Sequence, residues 1–164
     1  MTLTIAVTGC ATDDSKTPDT APSQTSKSSE PSASTGLTYA TDPPAAIDAG
    51  RAAAAEDGRP VLLDFGADWC VDCNVLDELY GRPAVSRVLD QGFHLVKIDV
   101  GEFDKNLDVA AEYIDLDTSD IPALVVIKPD GKVAYASNDG EFASARTMDE
   151  QQLLAFLGRW TGPA

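Results

Sequence analysis

The chain is poor in the residues from which metal sites and disulfide frameworks are built: its 164 residues include three cysteines and one histidine, His94. A structural zinc takes four ligands, commonly two Cys pairs or one pair with two His, so this inventory weighs against a metal site. Basic side chains are also scarce, with 12 Lys and Arg against 27 Asp and Glu and a formal charge of −15. Nucleic-acid binding needs clustered Lys and Arg, so that class of partner is excluded. Anionic lipid heads would likewise repel the surface, leaving a covalent anchor as the route to a membrane. A solvated acidic face is the ordinary reading of such a charge, although basic partners are compatible with it. No apolar run approaches the ~20 residues of a membrane-spanning helix, and no internal repeat is present.

What is there divides unevenly. The length suits one domain with a single core. Residues 1–10 end in Val7-Thr8-Gly9-Cys10, which resembles the lipobox of bacterial lipoproteins, where a signal peptide is cut before a cysteine that then carries lipid. A secretory signal has a basic start and about 7–15 apolar residues. No Lys or Arg precedes Cys10 here and the apolar run is short, so residues 1–10 read as a truncated signal peptide. The competing reading is an ordinary exposed thiol in a frayed terminus. Residues 11–37 are mostly Ser, Thr, Pro and Ala. Such a stretch cannot bury enough surface to offset its ordering entropy, and as a flexible leash it would span about 30 Å. Residues 38–164 carry the folded domain.

The domain is organised around Val61–Leu79. Val61 to Phe65 is an apolar run suited to a strand buried on both faces. Gly66 and Ala67 permit a turn, and Val75, Leu76, Leu79 and Tyr80 recur at helical spacing. Cys70 and Cys73 therefore fall where a strand hands over to a helix. At that address free N–H groups and the helix dipole stabilise a thiolate, the reactive form of cysteine. Three readings of this Cys-x-x-Cys compete. As a structural staple, so small a loop contributes only about 2 kcal/mol; as a metal site, it lacks partners; a redox-active dithiol is favoured.

The segment Asp64-Phe65-Gly66-Ala67-Asp68-Trp69-Cys70-Val71-Asp72-Cys73 resembles the active-site segment of the thioredoxin superfamily. It is especially similar to the C-terminal thioredoxin-like domain of membrane thiol–disulfide interchange proteins. Ile121-Pro122, ahead of Ala123–Ile127 and Pro129-Asp130-Gly131-Lys132, is similar to the family's second landmark. The resemblance implies an α/β thioredoxin fold, a central mixed sheet with helices on both faces. It implies a cis bond at Pro122, lying against the dithiol and lining a groove for substrate. It implies a Cys70–Cys73 disulfide in which Cys70, the more exposed, is the nucleophile and Cys73 resolves the mixed disulfide. Asp64 takes the place of the buried acid that moves a proton on or off the resolving thiol, and Trp69 packs beside the dithiol. No cofactor or metal is called for.

Two features depart from the family. Val71 and Asp72 stand between the cysteines where thioredoxins carry Gly-Pro, and the charges of Asp72 and Asp68 oppose thiolate formation at Cys70. A poorly stabilised thiolate disfavours the reduced form, which points to a reductant or electron relay. Asp115–Asp120 is also longer than the usual approach to the proline, and brings acidic side chains towards the active-site face. Around these motifs, helices are expected from Asp42-Pro43-Pro44 to Asp57, around Val85–Leu89, at Leu107–Ile114 and after a Thr147–Glu150 capping box. Strands are expected at Phe93–Val100, Ala123–Ile127 and Val133–Ala136. The reading is an extracytoplasmic thiol–disulfide oxidoreductase, lipid-anchored to the bacterial cell membrane. It would act on protein disulfides and draw electrons from a membrane thiol donor, because its compartment is oxidising. The alternative is a non-catalytic thioredoxin-fold module that binds a protein partner.

Overall fold

The computed structural model describes residues 37–161. The expectations for Cys10, for the leader and for the linker up to residue 36 lie outside them. Asp42 caps the first helix, α1 (Pro43–Asp57), by accepting the Ala45 N–H, with prolines in the first turn; Gly58 ends it in the left-handed conformation. The chain continues through β1 (Val61–Gly66), α2 (Val71–Tyr80), α3 (Pro83–Gly92) and β2 (His94–Asp99). Next come two short helices, α4 (Leu107–Ala111) and α5 (Leu116–Ser119), then β3 (Ala123–Ile127) and β4 (Val133–Ala136), and finally α6 (Glu150–Gly158).

The strands order β2-β1-β3-β4. β1 is parallel to β2 and antiparallel to β3, and β3 is antiparallel to β4, so the sheet is mixed and has β1 inside it. Every residue of β1 is buried, which is why its sequence runs apolar without alternating. Val61, Leu63 and Phe65 join one core with Ile47 of α1 and Val109 of α4. Leu62 joins the other with Leu76 of α2, Leu89 of α3 and Leu153 of α6. By the alternation of a strand, Asp64 and Gly66 face that second side, beneath α2.

Three elements differ from expectation. The helix expected through Leu107–Ile114 stops at Ala111, and Asp115 then caps a separate turn by accepting the Asp117 N–H. The acidic approach to Pro122 is thus α5, where Asx capping outcompetes an extended loop. The last helix does carry a capping box, but between Asp149 and Gln152; Thr147 ends a 3-10 turn, Ala145–Thr147.

Candidate active site

Cys70 is the N-cap of α2, and its sulfur accepts the Cys73 N–H at 3.1 Å. The two sulfurs form a disulfide, with Cα atoms 5.2 Å apart. An N–H aimed at Cys70 Sγ from the first turn of a ten-residue helix would stabilise a thiolate there once the bond opens. The Ile121–Pro122 bond is cis, and the Ile121 carbonyl oxygen lies 3.7 Å from Cys70 Sγ. A disulfide sulfur has no proton to donate, so this is a contact; a Cys70 thiol could donate across it. Contrary to expectation, Cys70 is no more exposed than Cys73: each residue retains 5% accessibility. Trp69 and Val71, at 49% and 58%, take up the exposure on either side.

Asp72 also departs from the sequence reading. It is buried, and its carboxylate accepts the Arg146 backbone N–H at 2.8 Å and the Arg146 Nε at 3.0 Å, with Nη2 closing a fork. The Arg146 guanidinium holds the carboxyl below its ordinary range. The charge expected to oppose a Cys70 thiolate is thus largely offset by a residue 74 positions away. Spacing along the chain carries no signal of such a pair.

On the same face of β1 as Gly66, Asp64 is paired in register with Lys97 of β2. Burial pushes its carboxyl up to about 6; Lys97 acts against the shift and Asp77 adds to it. The Lys97 ammonium is bonded to Asp77 and lies 5.8 Å and 5.9 Å from the ring centroids of Tyr39 and Tyr80. Tyr39 comes from the segment ahead of α1, held along β2 by the Ala40 N–H donated to the Lys97 carbonyl at 2.8 Å. The Tyr39 hydroxyl is buried without a hydrogen-bond partner among the described residues, whereas the Tyr80 hydroxyl faces the Asp64 carboxyl, outside strict hydrogen-bond geometry. Sequence reasoning missed Tyr39, Lys97 and Arg146; the pairing of Lys97 with a buried Asp needed strand register, which the sequence did not supply.

Beside the site, Trp69 Nε1 donates to the Gly101 carbonyl at 2.8 Å, and the Trp69 ring lies 6.0 Å from that of Phe103. Phe103 is a bulky residue held at φ 61°, between Gly101 at 56° and Asn106 at 51°, a conformation that favours glycine. Asp99 secures this loop by accepting from the Gly101 N–H and from Lys105. Phe103, Leu107, Ile114, Leu116 and Asp117 line a shallow cavity of about 420 Å³. Among the described residues no group of three or more His, Cys, Asp or Glu could hold a metal ion.

The model of the family described as thioredoxin-like matches residues 42–129. The chain belongs to the thioredoxin-like family. The disulphide isomerase of Xylella fastidiosa Temecula1 is 37% identical, with a TM-score of 0.73 over 79% of this chain and 100% of that one. The thiol:disulfide interchange protein DsbD 2 of Pseudomonas aeruginosa is 33% identical over 121 residues, which is 71% of this chain and 18% of that protein. DsbD of Pseudomonas fluorescens is also 33% identical, over 117 residues and the same shares. The chain therefore spans about a fifth of the length of these curated relatives. It is a thioredoxin-like protein of the disulfide-oxidoreductase type, with Cys70–Cys73 as its Cys-x-x-Cys pair. Among the described residues no helix is long and apolar enough to cross a membrane.

Proposed function

We propose that the chain is a protein-disulfide reductant or electron relay working outside the cytoplasm, tethered to the bacterial membrane through lipid on Cys10. The observation that carries the chemistry is the Cys70–Cys73 disulfide at the start of α2, with the Cys73 N–H aimed at Cys70 Sγ. In the reduced protein the Cys70 thiolate attacks a substrate disulfide, expels one substrate thiolate and forms a mixed disulfide. The Cys73 thiolate then attacks Cys70 Sγ, restoring Cys70–Cys73 and releasing the second substrate thiol. Net, two protein thiols become a disulfide and the substrate disulfide becomes two thiols. Asp64 takes the Cys73 proton, its raised pKa matching a base near neutral pH. The cis-Pro122 segment borders the substrate groove, with Trp69 beside it. Electrons return from a membrane thiol donor.

With Asp72 offset by Arg146, the leaning towards a reductant rests on Asp68, whose charge disfavours a Cys70 thiolate. The test is insulin reduction by dithiothreitol with and without the protein. Acceleration that disappears in Cys70→Ser is expected, together with a midpoint potential near about −270 mV. Acceleration that survives Cys70→Ser overturns the nucleophile assignment, and a potential near about −120 mV overturns the direction. A protein with no effect on insulin is a binding module.

A further inference from the structure

A buried hydroxyl without a partner is costly, and in a native structure it calls for an explanation. Among the described residues Tyr39 Oη is such a group, and its surroundings are specific. It lies 3.3 Å from the point a Cβ on Gly66 would occupy, and Cys73 Sγ lies 3.3 Å from that same point. The absence of a side chain at Gly66 therefore leaves a space that both the tyrosine hydroxyl and the second sulfur of the dithiol border. Any side chain at residue 66 would fill it. The tyrosine is held there by the Ala40 N–H bond to Lys97 and by the Lys97 ammonium over its ring.

A disulfide sulfur accepts hydrogen bonds weakly, whereas a thiolate accepts them strongly. We propose that Tyr39 is a positioning residue for the dithiol: when the disulfide opens, the freed Cys73 sulfur moves within hydrogen-bond distance of the Tyr39 hydroxyl in the space that Gly66 leaves, and accepts from it. The inference rests on the redox reading of Cys70–Cys73 given above. Tyr39 neither gives nor takes the proton. Burial, together with the charges of Asp64, Asp68, Asp99 and Asp77, keeps its hydroxyl protonated well past the ordinary range, so it remains a donor throughout. When the Cys73 thiol loses its proton, the negative sulfur gains one hydrogen bond. That bond favours the thiolate which attacks Cys70 Sγ in the resolving step.

The test needs no turnover. In a Cys70→Ser background, Cys73 is the described thiol free to titrate, and its ionisation is followed by thiolate absorbance near 240 nm. Cys10→Ser is added to remove the third sulfur. Tyr39→Phe in that background should lower the Cys73 acid dissociation constant about tenfold, the worth of one hydrogen bond to a charged group. Urea unfolding of the otherwise native chain provides the second readout. Oxidised Tyr39→Phe should be at least as stable as the parent, since an unsatisfied hydroxyl is gone, while the reduced variant should be the less stable of its pair. An unchanged Cys73 dissociation constant, or the same stability change in both redox states, overturns the assignment. Loss of insulin reduction in the unsubstituted protein would instead remove the redox reading, and the titration still decides whether the hydrogen bond exists.

Discussion

Replacing Asp64 by Asn tests the electrostatics beneath the dithiol. Burial pushes the Asp64 carboxyl from 3.8 up to about 6. One pKa unit corresponds to about 1.4 kcal/mol, so ionising Asp64 costs about 3 kcal/mol more in the folded chain than in the unfolded one. The folded-state value is raised, so between about pH 4 and pH 6 the native chain binds more protons than the unfolded chain. Stability is lost across that window as pH rises, and the loss is complete above pH 6. Asn cannot ionise and escapes it. Asp64→Asn should therefore match the parent within about 1 kcal/mol near pH 3.5 and exceed it by about 2–3 kcal/mol at pH 7, the lower figure allowing for the unpaired amide. Urea unfolding of the oxidised protein at half-unit steps from pH 3.5 to 8 measures the difference curve, and other titrating groups cancel in it. A flat difference, or a variant less stable than the parent at pH 7, refutes the buried-charge account. The same variant should slow the resolving step, seen as accumulation of mixed disulfide.

Arg146→Met leaves the buried Asp72 carboxylate with only the backbone N–H of residue 146, and should cost about 1–3 kcal/mol by urea unfolding at pH 7. The folded-state pKa of Asp72 lies below normal, so its contribution is present at neutral pH and fades as pH falls through that value; a cost that persists below it would show that lost packing, not charge, was responsible. Restored negative charge beside Cys70 should also raise the Cys70 thiol pKa, read by the pH dependence of alkylation. Phe103→Asn suits the left-handed backbone better than Phe, so the unfolding midpoint should hold or rise. Insulin reduction should nevertheless slow about threefold or more as the aromatic neighbour of Trp69 is lost, while exchange with a small disulfide is unchanged. Equal losses on both substrates would deny Phe103 a part in substrate contact. Mass spectrometry of the membrane fraction should find lipid on Cys10; an unmodified terminus ends the tether proposal.

The sequence by itself determined the local frame. An unbroken apolar run marked β1 because a strand covered on both faces has no polar side to alternate with. The strand-to-helix handover then placed Cys70 at the helix start without reference to anything distant. The Asp42-Pro43-Pro44 cap is equally local, whereas the end of α4 is not legible from spacing, because the Asx turn at Asp115 competes with the helix. The cis bond at Pro122 was foreseen only through family resemblance, since no local signal distinguishes it from the trans form. Tertiary structure alone decided the electrical surroundings of the dithiol. It matched Lys97 to Asp64 by register and closed Arg146 over Asp72. It also brought Tyr39 to the same gap as Cys73. These are meetings between residues far apart in the chain, and the free energy of a charge depends on what surrounds it in space, which chain order does not encode.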